Sequence, residues 1–223
     1  MELSYWQSRW KKGNTGFHMP GGYPGLRNYW DTLNISTEAH VLVPLCGKTP
    51  DMMWLATKTN KVTGVEISDK AIREFLDEQN LTAETERFAS FTIFKTRKTE
   101  LWCGDFFKLP EHKFPDTGLI YDKAALQALP ESMRVRYAEK IISLSSSSSK
   151  ILLHHFTYAQ NEMNGPPFSV SSDEIESLFG NNFEIQILEQ NNLDIHNYQK
   201  FWKRGLKSNF IEYLLLLSPK ADN

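Results

Sequence analysis

Hydrophobic and polar positions divide the chain into two regimes. Up to residue 34 there is no strand-like alternation. Trp6 and Trp10 stand four apart, the spacing that puts two side chains on one face of a helix. The run Pro-Gly-Gly-Tyr-Pro-Gly over residues 20–25 forms loop, and a second short helix starts near Pro24. From His40 onward, short apolar runs alternate with amphipathic stretches. Residues 41–45 (VLVPL) read as a buried strand ending at Cys46-Gly47. A helix follows over 51–58, with Thr49 as cap and Pro50 at its start. Strands are predicted over 62–66, 91–95, 99–102, 118–122 and 150–156. Helices are predicted from Ser68 or Asp69 to about 79, over 130–144, and over 172–179 with Gly180 as stop. Runs at 183–188 and 210–218 close the sheet as an antiparallel pair with no obvious helix between them. Strands alternating with helices predict an α/β fold with a doubly wound, mostly parallel sheet. The serine run 145–149 reads as a short linker.

Composition narrows the function classes. The 223 residues carry 25 basic and 27 acidic side chains, a net charge of −2. A binder of nucleic-acid backbones normally carries a basic excess, so no nucleic-acid partner is expected. Cys46 and Cys103 form no CxxC pair, which argues against a disulfide scaffold or a cysteine-zinc site. No run approaches the ~20 apolar residues that span a bilayer, and the first residues lack an apolar signal core. A single domain over residues 1–223, monomeric and cytoplasmic, with no membrane and no metal, is the expectation. Three of the six tryptophans fall in the first thirty residues. That crowding suggests an N-terminal cap over residues 1–34 and a core over 35–223, so a chain beginning at His40 is expected to keep its sheet and lose activity.

In open α/β sheets, ligands sit at the carboxyl ends of the strands, and three such ends here are informative. At Leu45-Cys46-Gly47, the glycine lets backbone approach a ligand. The turn has neither GxGxxG nor GxxxxGK[ST], so it is not built for a pyrophosphate. Glu66 ends the second strand, where a carboxylate accepts from both hydroxyls of a ribose. Cys103-Gly104-Asp105-Phe106-Phe107 sets a carboxylate beside aromatic rings, a combination suited to a purine. The plain alternatives are a glycine turn, a solvated acid and a turn followed by core phenylalanines. Together the three ends describe an adenosine site without a diphosphate, which suits S-adenosylmethionine. Its sulfonium is a cation served by acids and aromatic faces, and Asp122 is a candidate neighbour.

Longer motifs carry a family resemblance. VLVPLCGKTPDMMWLA (41–56), VTGVEIS (62–68), CGDFF (103–107), YDKAALQALP (121–130), RYAEKI (136–141), NGPPFSV (164–170) and the opening WQSRWKKGNTGFH (6–18) resemble, in order, the thiopurine S-methyltransferase family. The resemblance implies a class I methyltransferase fold with a seven-stranded sheet, S-adenosylmethionine as methyl donor and S-adenosylhomocysteine as product. It implies that Trp6, Trp10, Leu45, Gly47, Glu66, Asp105 and Phe106 line the cofactor site. Phe17 would sit over the acceptor and the methyl group, with His18 beside it, and Gly165 to Phe168, including Pro166, would shape the acceptor side. The chain departs from the family pattern at Lys123, where arginine is frequent, at Met19, where glutamine is common, and near Tyr198, where some relatives carry arginine. All three departures lie on the acceptor side.

The reaction implied is methyl transfer to the sulfur of a small aromatic or heterocyclic thiol. Transfer to thiocyanate, halide, selenium or tellurium is the alternative within the same fold. A thiol of low pKa is already ionised near neutral pH and needs no strong base; a nearby cation would favour the thiolate of an ordinary one. Lys123 is the candidate for that cation, with Asp122 beside it, against the alternative that Lys123 pairs with a structural acid. His18 is as readily a packed histidine as a base. His154 and His155 are adjacent on a strand and point to opposite faces, so they do not share a metal. Cys46 reads as small packing in a tight turn. Two other classes fit the sequence less well: a nucleic-acid methyltransferase, for which basic side chains are too dispersed, and a cofactor-binding protein without turnover, which would carry a damaged cofactor site.

Overall fold

The structure, a computed structural model, describes residues 3–220. The chain divides into two compact units, Met1–Tyr121 and Asp122–Asn223. The first begins with α1 (Leu3–Lys11) and α2 (Pro24–Tyr29), the latter continued by a 3-10 turn over Trp30–Leu33. It continues through β1 (His40–Pro44), α3 (Asp51–Lys58), β2 (Lys61–Glu66), α4 (Asp69–Glu78), β3 (Glu84–Phe88), β4 (Phe91–Lys95) and β5 (Thr99–Cys103). β6 (Thr117–Lys123) carries the chain into the second unit.

Strands of the first unit lie in the order β3-β4-β5-β2-β1-β6. β5, β2, β1 and β6 run parallel, which explains why β1 and β2 are almost wholly buried: both sheet faces are covered. Gly64, in mid-strand, is dictated by packing. A Cβ there would come within 2.7 Å of Cys46 Sγ and 2.8 Å of Met52 Sδ. That contact also fixes Cys46 as small packing under the turn. β3 and β4 form an antiparallel hairpin on β5.

The second unit holds α5 (Glu131–Ser143), β7 (Lys150–Thr157), α6 (Ser172–Phe179), β8 (Phe183–Leu193), α7 (Gln199–Trp202) and β9 (Phe210–Pro219). Its strands lie in the order β7-β9-β8, both pairings antiparallel. The expected antiparallel end is therefore present, and β8 is five residues longer than its apolar run (193 against 188). The fold is α/β, as expected, but with nine strands among the described residues rather than seven. β3 escaped detection because Glu-Thr-Glu-Arg-Phe buries neither face and so shows no alternation. Gly180 does end α6, yet at φ −62° rather than in a left-handed cap. No helix among the described residues is long and apolar enough to cross a membrane.

The N-terminal segment is more than a cover. Trp10, Leu26 and Leu33 are at most 1% exposed, and Trp30 packs edge-on to Trp54 at 5.2 Å. These side chains belong to the core of the first unit, so a chain beginning at His40 would lose core as well as site. Leu26→Ala should therefore destabilise the protein by about 2–5 kcal/mol, the cost of emptying a buried leucine site. Urea unfolding checks this; a loss below about 1 kcal/mol would return α2 to the role of a loose cover.

Candidate active site

The turn after β1 is held open by backbone conformation. Leu45 (φ +47°) and Gly47 (φ +54°) both lie in the left-handed region, costly for the leucine. That path aims the Gly47 N–H at Glu66 Oε2 (2.9 Å), while Glu66 Oε1 accepts from the Ser68 N–H at 2.8 Å. Glu66 is 5% exposed. Burial drives its pKa up to about 7, and the backbone donors Ser68, Gly47 and Ile67 offset only part of that rise. The nearest donors, Gly47 and Ser68, take one lone pair on each carboxylate oxygen, which leaves acceptor capacity for a ligand hydroxyl.

Aromatic residues of the cap lie on this turn. A Cβ at Gly47 would fall 3.0 Å from the Trp10 ring, so α1 and the turn approach as closely as glycine permits. Phe17 stands edge-on to both Trp6 and Trp10 at 5.4 Å, confirming that the two indoles share a face. Phe17 is 40% exposed. Trp6 Nε1 is buried with no hydrogen-bond partner among the described residues. His18 lines a cleft of about 310 Å³ together with Pro20, Lys48, Pro50 and Glu78.

At the end of β5, Asp105 caps a 3-10 turn, its Oδ1 accepting from the Phe107 N–H at 3.0 Å. Phe106 is buried and Phe107 partly exposed. Burial pushes the Cys46 thiol well up and Cys103 to about 11, so neither is a thiolate near neutral pH.

In the second unit, Asp122 is buried and braced: Oδ1 accepts from the Ala125 and Leu126 N–H groups (2.7 and 3.2 Å) and Oδ2 from the Tyr137 hydroxyl (2.8 Å). Burial raises its pKa to about 6, with Tyr137, Ala125 and Leu126 opposing. Lys123 is half-buried and precedes Ala124, at φ +64°. Its charge acts on two neighbours. Burial and Lys123 hold His154 neutral against the pull of Glu212. Burial would raise Glu212, but its 2.7 Å hydrogen bond with His154 Nε2, helped by the Lys123 charge, brings its carboxyl below the usual range. His155 instead stacks on Tyr213 and meets the Val170 carbonyl, so the two histidines do face opposite ways. Pro166 sits in a loop tied down by Phe168 N–H to Gln127 O (2.7 Å) and Tyr158 hydroxyl to Pro167 O (2.7 Å).

The family model for thiopurine S-methyltransferase matches residues 1–217. The chain belongs to the thiopurine S-methyltransferase family. A thiopurine S-methyltransferase of Pseudomonas fluorescens is 43% identical over 85% of this chain and 87% of its own length. A second from that species is 38% identical over 99% of both. A probable thiopurine S-methyltransferase of Yarrowia lipolytica is 40% identical over 85% of this chain and 90% of its own. Among solved structures, an S-adenosylmethionine-dependent methyltransferase from Anabaena variabilis superposes with a TM-score of 0.65 at 11% identity, covering 98% of this chain and 95% of that one. The Burkholderia thailandensis 1,6-didemethyltoxoflavin-N1-methyltransferase, solved with S-adenosylhomocysteine, gives 0.63 at 14% identity, covering 99% and 87%. At that identity the likeness is one of fold.

As a member of this family the chain is an S-adenosylmethionine-dependent S-methyltransferase. The residues at the turn after β1 fit that cofactor: a buried carboxylate with acceptor capacity left suits ribose hydroxyls, and the Trp6 indole N–H, without a partner among the described residues, offers a donor. The sequence pattern does not single out Asp51, nor Tyr23 and Tyr121, which donate to it, nor Tyr137, which donates to Asp122. A buried acid in the first turn of α3 was visible; its partners, 28 and 70 residues away, were not.

The raised pKa of Glu66 makes a stability prediction. Between its ordinary value of 4.5 and about 7, folded Glu66 keeps a proton that the unfolded chain has lost. Its stabilising contribution is complete below pH 4.5 and is lost as pH rises to 7, on the order of 3 kcal/mol. Glu66→Gln should therefore flatten the fall in unfolding free energy between pH 4.5 and 7. Parallel curves for parent and variant would contradict the raised value.

Proposed function

We propose that this enzyme moves the methyl group of S-adenosylmethionine to the sulfur of a small aromatic or heterocyclic thiol of the thiopurine kind. One observation supports the reading above others: a buried, backbone-braced Glu66 lies against the glycine turn on which Trp10 and, through Phe17, Trp6 are packed. Bound S-adenosylmethionine supplies an activated methyl group and a neutral leaving group. The residues hold, align and exclude water. Glu66 would accept from the ribose hydroxyls, Asp105 from the purine amine, and Leu45, Gly47 and Phe106 would shape the surrounding wall. Trp6 and Trp10 would close the cofactor side. Phe17 would cover the acceptor with His18 at its edge, and Pro166 would bound the far side.

Lys123 would favour the thiolate of the acceptor. Its charge also reaches Glu212, whose carboxyl it helps to lower. Asp122 would act through the turn it braces, fixing the backbone around Lys123 and Ala124.

A panel of acceptors, with S-adenosylhomocysteine formation as readout, tests the assignment. 6-Mercaptopurine and related heterocyclic thiols should turn over, and iodide and thiocyanate should not; the reverse pattern sinks the proposal. Cofactor binding has its own check. Ribose hydroxyls favour ionised Glu66, so affinity for S-adenosylhomocysteine should be flat above about pH 7 and fall by up to tenfold per unit below it. Glu66→Ala should weaken binding and remove that pH dependence, as calorimetry would report; an unchanged affinity contradicts the ribose role.

A further inference from the structure

Asp51 joins three segments of the first unit. It is 1% exposed, in the first turn of α3. Both carboxylate oxygens accept from the Tyr23 N–H, at 3.0 and 3.1 Å. Oδ2 also accepts from the Thr49 hydroxyl (3.1 Å) and from the Tyr121 hydroxyl (2.9 Å), while Arg27 Nη2 stands 3.7 Å from Oδ1. Burial and the Asp51 charge push the Tyr121 phenol well up, so it remains a donor. Gly22 (φ +72°) completes the joint: a Cβ there would collide with Asp51 Oδ1.

Thr49 ends the turn that begins at Leu45 and Gly47. Tyr23 ends the loop that carries Phe17 and His18, only six residues after Phe17. The seam between these segments includes the open cleft lined by His18, Pro20, Lys48 and Pro50. Apolar packing does not close that part of the seam, so polar bonds must hold it. Asp51 is the acceptor on which they converge.

Resting on the function proposed above, we infer that Asp51 is a positioning residue for methyl transfer: it fixes the Phe17–Tyr23 segment against the Leu45–Thr49 turn, and so sets the acceptor's place over the cofactor. It touches neither acceptor nor cofactor and acts through Tyr23 and Thr49. The cofactor half itself, Glu66 held by Gly47 and Ser68, is built without it.

Two variants disturb the joint from opposite sides: Asp51→Ala removes the acceptor, and Gly22→Ala pushes on it from the loop. Each should lower kcat/KM for 6-mercaptopurine tenfold or more, with S-adenosylhomocysteine affinity within threefold of the parent. Amide hydrogen exchange should quicken over residues 17–23 and stay unchanged over 61–66. Asp51→Asn keeps an oxygen for the Tyr23 N–H and should recover most of the loss. A merely structural role would lower cofactor affinity and sheet protection together with turnover, and that result overturns the inference. So does parental turnover in a variant whose loop exchange has quickened, or unchanged loop exchange in both variants. Should Asp51→Ala not fold, Gly22→Ala decides by the same measurements. If the parent itself methylates no thiol, the acceptor assignment has failed, and the exchange comparison alone judges whether Asp51 holds the loop.

Discussion

A carboxylate taken out of water costs several kcal/mol unless donors surround it. Three acids among the described residues, Asp51, Glu66 and Asp122, are buried at or beyond strand ends. Backbone N–H groups and tyrosine hydroxyls surround them. Gly47 and Ser68 serve Glu66, Tyr23 and Tyr121 serve Asp51, and Ala125, Leu126 and Tyr137 serve Asp122. The requirement dictates the shape of the loops. An N–H can point at an acid only if the chain turns sharply before it, and the left-handed residues Leu45, Gly47 and Ala124 stand where two of those turns occur. The strain of a left-handed leucine or alanine is offset by the donor it aims. Tyr121 and Asp122, consecutive in β6, project to opposite faces, so one strand end serves two acids through alternation alone.

The three acids differ in what remains open on them. Asp51 is saturated by protein donors, and its charge has Arg27 nearby. Asp122 carries three protein donors and a pKa of only about 6. Glu66 takes only backbone donors, Gly47 and Ser68 the nearest, and burial still raises its pKa to about 7. An under-solvated carboxylate gains most from additional hydroxyl donors, because each one relieves a desolvation cost already incurred. The same physics that makes Glu66 a liability for folding near neutral pH makes it the receptive member of the site.

Much of this was legible in the sequence, for local reasons. β1 is visible as an unbroken apolar run and β2 as a short one, their ends point to Gly47 and Glu66, and the end of β5 points to Asp105. α1 was readable from the four-residue spacing of Trp6 and Trp10. What escaped lacked a local signature. β3 is polar on both sides. Asp51 looked like an ordinary first-turn acid, since its role depends on Tyr23 and Tyr121. Likewise, Asp122 was noticed as a strand-end acid near a cation, while the turn it braces with Tyr137 depends on a helix fifteen residues on. Periodicity reports which face a residue takes; it does not report which distant donor meets it there.

The aromatic N-terminus is held by the same interactions. Composition marks it as unusual, and the site gives it a location, but its residues do two separate jobs. Trp10, Leu26 and Leu33 are packed as core, and α1 meets the glycine turn at the limit of contact. Phe17 and His18 lie on the part that remains accessible, beside an open cleft. A segment with one end fixed in a core and its middle exposed has its freedom set by where it is next tied down. Here that point is the Tyr23 N–H on Asp51. The departures from the family pattern at Met19 and Lys123 fall in exposed or half-exposed positions at strand ends and loops, where packing exerts little control over residue type. On the proposed function, core constraints preserve the cofactor half, and acceptor choice is left to the residues that the core does not govern.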